Sequence, residues 1–460
     1  MKTRKRASAL LTLVILVGSL AACDTGPAPT PTAVTEPTPT FKTLPNGVRL
    51  DPSVSGTVEL WHFWASPVRR NALRRVIALC SAELPNIQVN DVVKGFGALW
   101  DENREAVLAG QGMPSVIVED RPKINERARD GIDSNLKEWA ERDGVDGSQF
   151  WNFTWQQSVY EGAPYGIPYE TEVRVLFYNK SMFQEVGLDP NTPPQTWADL
   201  EEIADRLDKK NPDGTYERIA FLPIVGNASP VTWGYTNGAD WIDEAGRPVL
   251  TDTAAIETLE WMKKWLDRYG GYDKAREFMS QFGPAPNDAF MSGKVAMFVD
   301  INGYASQLNF YRPRWQGSSG GTTSLEWAVS DIPYAKNKAS WSGGFALSIP
   351  RGAPNAAAAW EFIKCATAPV AQSSWARDTY SMPANISAAS DPLLLADPSW
   401  KFFVEAMEYT RAGNTPIYPQ WSNELDARFE PIWRGEVTAA EAMAEVQRIV
   451  LEQSITTPTP

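Results

Sequence analysis

One histidine, His62, and three cysteines are all that the 460 residues hold of the side chains most used for zinc ligation and nucleophile activation. That scarcity excludes HExxH and Cys/His zinc sites and histidine-based catalytic triads. The chain also lacks a GxxxxGK phosphate loop and a dinucleotide fingerprint. A role without catalysis, metal or cofactor is therefore expected. Basic residues are in the minority as well: 43 Lys and Arg stand against 56 Asp and Glu, a net charge of −13. Such a surface argues against nucleic acid and anionic membrane as partners.

What is present begins with a leader. Lys2, Arg4, Lys5 and Arg6 precede an apolar run from Ala9 to Val17 and then Leu20-Ala21-Ala22-Cys23, the layout of a secretion signal. The run is shorter than the ~20 residues a spanning helix needs. Leu-Ala-Ala-Cys resembles the bacterial lipobox, which implies removal of residues 1–22 and lipidation of Cys23. The exported body would then be anchored at the outer face of the cell membrane, or in a periplasm if there is an outer membrane. Losing four basic residues leaves 39 against 56, a net charge of −17. Residues 25–40 alternate Thr and Pro, a composition that buries no core and favours extended polyproline geometry. Residues 23–55 are read as a tether and 456–460 as a disordered tail.

The remainder is long enough for two cores. The stretch TVELWHFW from Thr57 reads as a strand, and Leu73, Val76, Ile77, Cys80 and Leu84 as the inner stripe of a helix. Val89 to Val93 and Ser115 to Val118 read as further strands. This order predicts a parallel α/β sheet with ligands at the strand carboxyl ends, where Trp61 and Trp64 and then Glu119, Asp120 and Arg121 fall. In PYGIPYETEVRVLFYNK, residues 164–180, a Gly/Pro turn runs through Glu170, Glu172 and Arg174 into Val173, Val175, Leu176 and Phe177. It reads as a strand buried on both faces, of the parallel-sheet kind, crossing between two bodies beside a polar site. Thr196 with Asp199, and Thr438 with Glu441, are capping patterns. Trp261 and Trp265 read as packing residues of a helix from Thr253 to Tyr269. Cys80 and Cys365 fall on helices of one expected lobe, as a disulfide or as two thiols.

Four segments carry a family resemblance: YGIPYETEVRVLFYNKSMFQEVGL followed by TWADL; GADWIDEAGRPVL leading to EWMKKWLDRYG; AFMSGKVAMFVDINGY; and SGGFALSIPRGAPNAAAAWEFIKCATAP. In this order, behind a lipobox, they resemble the bacterial extracellular solute-binding proteins of sugar-importing ABC transporters, the group that includes maltose-binding protein. The resemblance runs from about Gly56 to about Leu451. It implies a monomeric, two-lobed, periplasmic-binding-protein-like α/β fold with three hinge crossovers, closing on a carbohydrate and presenting it to the transmembrane subunits of an ABC permease. The crossovers would fall at 172–176, 329–333 and 367–372. Lobe one would comprise 56–172 and 331–369, and lobe two 173–330 and 370–455. The resemblance also implies Glu172 as an acidic ligand residue, with Arg174 beside it, an Asp120-Arg121 pair on sugar hydroxyls, and Tyr304 as a ring stacker.

A pyranose has apolar C–H faces and a rim of hydroxyls, so aromatic rings and charged or amide groups together suit it. Nineteen Trp, fourteen Tyr and eighteen Phe supply the rings. The ring candidates are Trp61, Trp64, Tyr169, Trp233, Tyr304 and Trp341, the last beside Gly343 and Gly344, which permit close backbone approach. The polar candidates are Glu119, Asp120, Arg121, Glu172, Asp300 and Asn302. His62 reads as a satisfied core or rim residue and Glu170 as a solvated turn residue. Acidic pairs beside rings also suit a secreted glycoside hydrolase. A binding protein for a polyamine, an amino-acid derivative or a glycerol phosphate is a further alternative, in which the acids favour a cation.

Overall fold

The computed structural model describes residues 41–243, 246–317, 321–412 and 421–456. The leader, Cys23, the Thr/Pro run and residues 457–460 lie outside them. Among the described residues no helix is long and apolar enough to cross a membrane. Part of the expected tether is folded: Lys42–Thr43 pairs antiparallel with Arg49–Leu50, and Val48 and Leu50 are buried in the first lobe. The Thr/Pro composition ends at Thr40, and the apolar residues beyond it give the chain something to bury.

Two mixed sheets organise the body. The first has the order Met382–Pro383, Ile167–Thr171, Gly344–Ser348, Val116–Asp120, Gly56–His62 and Ile87–Val93. The second has the order Lys209–Lys210, Tyr216–Gly226, Val295–Ile301, Arg174–Asn179 and Trp327–Ser330. Gly56–His62 is parallel to both its neighbours, and Tyr216–Gly226 is parallel to Val295–Ile301. The wholly parallel sheet expected from the element order is corrected elsewhere. Arg174–Asn179 is antiparallel to both its neighbours, as is Gly344–Ser348. A strand that arrives from the other lobe enters its sheet at the hinge end and so runs against strands that left a helix at the far end. Every residue from Arg174 to Asn179 is buried; helices cover both faces, and that coverage, not strand direction, sets the apolar run.

The chain passes between the sheets three times. The first passage is Glu172-Val173, between the Ile167–Thr171 and Arg174–Asn179 strands; the second is residues 331–343. The third differs from the expected 367–372. Pro369 opens the helix Pro369–Thr379, whose Ala371 and Trp375 lie in the first core, and Met382–Pro383 still pairs with Ile167–Thr171. Ala376 and Met382 already touch the second core, and beyond Ala384 the buried residues, from Ala389 and Leu394 on, belong to the second core alone. Ala371 and Trp375, four residues apart on one helix face, hold this segment on lobe one. Cys80 and Cys365 form a disulfide with Cα atoms 5.7 Å apart, joining helices Pro67–Glu83 and Ala356–Ala366.

Candidate ligand-binding site at the hinge

The first passage leaves Glu172 facing outward and Arg174 inward. The Arg174 guanidinium is buried where the lobes meet. Its Nε donates to the Asn227 carbonyl at 2.5 Å, Nη2 to Asn227 Oδ1 at 2.8 Å, and Nη1 to Glu172 Oε1 and the Trp341 carbonyl at 2.9 Å each. Its Cζ also stands over the Trp341 ring, 4.1 Å from the centroid, a cation–π contact. Glu172 accepts a second hydrogen bond from the Gly343 amide at 3.2 Å, and its side chain keeps 19 % of its surface. A Cβ on Gly343 would stand 2.9 Å from that carboxylate oxygen, the far end of a flexible side chain, so a side chain there would displace Glu172 from its present position.

Two further carboxylates face Glu172. Asp120 ends the Val116–Asp120 strand on lobe one. Burial pushes its pKa up to about 6; Arg121 and Lys123 pull it down while Glu172 pushes it further up. Asp300 lies near the end of the Val295–Ile301 strand on lobe two. Burial drives it up to about 7, Glu172 and Asp288 adding to the rise and the Ile301 amide and Arg174 opposing it. Among the described residues neither aspartate forms an ion pair. Beside Asp120 lies a cluster of rings that sequence reasoning missed. Phe345, its ladder partner, packs on Phe63 at 4.7 Å between centroids, and Phe96 and Trp100 extend the group at 5.1 and 6.1 Å from Phe63. Phe96 is 69 % exposed. The available signal was the loop KGFGALW between a strand and a helix, where an aromatic residue has no core to enter.

Of the expected site residues, Asp120, Glu172, Asp300 and Trp341 come together at the hinge; several others do not. Trp233 is fully buried inside the helix Pro230–Thr236, donating to the Pro223 carbonyl and packed on Trp261. The loop placement assumed for it was the error. Trp64 and Tyr169 are buried against each other and Trp375 in the core of lobe one. Tyr304 is buried among Phe177, Phe298 and Phe290, and its hydroxyl donates to Asp288 at 2.9 Å, so it packs rather than stacks on a ligand. Trp61, 7 % exposed, lies under Lys94, whose Nζ is 3.9 Å from its ring centroid, and bonds Glu59.

The polar corrections follow the same logic. Glu119 is wholly buried and paired with Arg127 at 2.7 Å. The wholly buried Arg121 serves the hinge, donating to Gln157 at 2.8 Å, Thr171 at 2.9 Å and the Gly343 carbonyl; burial lowers its pKa to about 10. Asn302 accepts from the Val173 amide at 3.0 Å and donates to the Tyr380 carbonyl, tying the first passage to the chain beyond Thr379. Gly344, at φ +123°, would put a Cβ 2.4 Å from the Glu170 carbonyl oxygen; it serves backbone packing, whereas Gly343 meets the site through its amide bond to Glu172. Glu170 is no solvated residue: it accepts from the Trp375 indole at 2.8 Å and faces Arg69 at 3.6 Å. His62 is buried, its Nδ1 accepting from the Trp64 amide at 3.1 Å.

Two α/β lobes joined by three passages, with acids and rings gathered at the junction, define a binding protein of the hinged, two-lobed class. The chain belongs to the bacterial extracellular solute-binding protein family, whose model matches residues 80–401. It is 28 % identical over 219 residues to the mannitol-binding protein of Pseudomonas aeruginosa, covering 45 % of this chain and 46 % of that one. It is 24 % identical over 319 residues to the maltooligosaccharide ABC transporter solute-binding lipoprotein of Streptococcus pneumoniae, 66 % of each. The matches thus span from about half to just under two thirds of these relatives' lengths. The solved structure of CpMnBP1 with mannotriose bound has a TM-score of 0.75 at 25 % identity, covering 85 % of this chain and 99 % of that one. UgpB from Mycobacterium tuberculosis in complex with glycerophosphocholine shares the fold, with a TM-score of 0.70 at 20 % identity and coverage of 87 % and 100 %.

Proposed function

We propose that this chain captures a carbohydrate where its lobes meet, closes on it about the hinge, and delivers it as a monomer to the transmembrane subunits of an ABC importer, without turnover. Lipidated Cys23 holds it at the outer face of the cell membrane, or in a periplasm if there is an outer membrane. The observation that carries this reading is the placing of Asp120, Glu172, Asp300 and Trp341 on or beside the passages between sheets, next to the Phe63, Phe96, Trp100 and Phe345 rings. Carboxylates accept hydroxyl protons and rings cover C–H faces. Relatives named for mannitol and maltooligosaccharide, and a similar structure holding mannotriose, support the same ligand class.

Micromolar capture needs about 8 kcal/mol, within reach of a few charge-assisted hydrogen bonds at ~1.5–3 kcal/mol each together with stacked rings. Isothermal titration of the full chain with neutral mono- and oligosaccharides tests the reading: at least one is expected to bind, with no chromophore released from chromogenic glycosides. Binding of none removes the carbohydrate assignment.

A further inference from the structure

We infer that the ligand is an oligosaccharide of three or more units, laid along one edge of the first sheet with one end at Glu172 and the other stacked on Phe96. This rests on the reading above that the ligand is a saccharide, and adds its length and the residue that selects for it.

Sheet order is the first ground. Gly56–His62 is parallel to Ile87–Val93 and Val116–Asp120, and Gly344–Ser348 runs antiparallel to Val116–Asp120 and to Ile167–Thr171. Four strands therefore end, and Gly344–Ser348 begins, on one edge of the sheet. In the order in which the strands pair, that edge carries Glu172, Phe345, Asp120, Phe63 and Phe96. Phe345 lies opposite both Asp120 and Glu170, the Gly343 amide donates to Glu172 at 3.2 Å, and the Lys94 amide donates to the His62 carbonyl at 2.8 Å. These bonds hold the five positions side by side. From the Ile167–Thr171 strand to the Ile87–Val93 strand there are four strand spacings, a span of about 19 Å. A single pyranose ring is about as wide as one spacing, so a monosaccharide at Glu172 would leave the Phe96 end bare.

The rings themselves are the second ground. Phe345, Phe63 and Phe96 belong to three different strands or their ends and touch in that order, at 4.7 and 5.1 Å between centroids. The first pair meet across the end of the Val116–Asp120 strand, which lies between theirs. Phe96 meets Phe63 at 88° and Trp100 at 81°, edge to face in each case, and is 69 % exposed, so a face of its ring is free. Gly95 and Gly97 flank it, which leaves no adjoining side chain to cover that face. An exposed ring continuous with a site of carboxylates and rings suits the C–H face of a further sugar unit, whose hydroxyls stay in water.

Length series test this by calorimetry on the full chain: manno-, malto- and cello-oligosaccharides, each from the monosaccharide to the tetramer. In at least one series the trimer or tetramer is expected to bind about tenfold or more tighter than the monosaccharide, as one added aromatic contact allows. Phe96→Ala should weaken that longer member about tenfold and narrow its advantage over the shorter ones. Phe96→Trp should restore both, with near-ultraviolet circular dichroism checking that each variant is folded. Affinity that never rises, or stops rising at the disaccharide, in every series that binds overturns the inference and leaves the carbohydrate reading intact. So does a folded Phe96→Ala variant that binds the longer member as tightly as the native chain. Failure of every saccharide overturns both.

Discussion

Glu170 and Glu172 are two residues apart on one segment, and the strand's period of two puts both side chains on one face. Their environments differ because the strand ends between them: Glu170 is still inside the first sheet, under Trp375, whereas Glu172 stands in the passage. The sequence made Glu172 legible, together with Asp120, Asp300 and Trp341, because each sits at a strand end or turn. It misplaced Trp64, Tyr169, Trp233 and Tyr304, since an aromatic residue near a strand end fits a core as well as a ligand. Arg174→Ala is expected to destabilise the fold by about 3–5 kcal/mol, because it leaves Glu172 and the Asn227 carbonyl without their cation; urea unfolding measures this. Trp341→Ala should weaken ligand binding about tenfold by titration. Trp233→Ala should instead act on stability, lowering it by about 3–5 kcal/mol as an emptied core site.

Among elements, helix ends are more legible in the sequence than sheet order. The Thr196 box is present with both reciprocal bonds, and Thr438 and Glu441 bond each other in the same way, because a cap is a local interaction. Strand direction depends on which lobe a strand arrives from, and that information lies a hundred or more residues away. The third passage was misplaced for a related reason: Pro369 marks a break, and a break at Pro suits the start of a helix as well as a crossing. The disulfide is a long-range feature too, closing a separation of 285 residues. Replacing both Cys80 and Cys365 by Ser is expected to cost about 2–5 kcal/mol, seen as a lower Tm by calorimetry, and reductant should lower the Tm of the native chain in the same direction.

For the whole molecule the buried acids set how stability varies with pH. Asp120 and Asp133 are raised to about 6, Asp300 to about 7 and Glu119 well above its usual range, all chiefly by burial. The folded chain therefore holds protons that the unfolded chain releases near about pH 4. The stability this gives is present at low pH and is lost as pH rises through about 6 to 7. Asp143 acts oppositely: burial raises its pKa, but bonds from Arg142, Lys364 and Trp360 outweigh that and bring it to about 2, so its contribution is lost as pH falls below about 4. His62, kept neutral by burial, also loses its contribution as pH falls through its ordinary range. Without ligand, Tm is expected to fall between about pH 5.5 and about pH 8, and a flat or rising profile over that window would show that these acids are ionised in the folded chain.

Closure of the two lobes about Glu172-Val173 is the central claim, and small-angle X-ray scattering of the full chain reads it directly. With a saccharide that titration shows to bind, hinge closure predicts a smaller radius of gyration than for the chain alone. An unchanged radius at saturating ligand would contradict it.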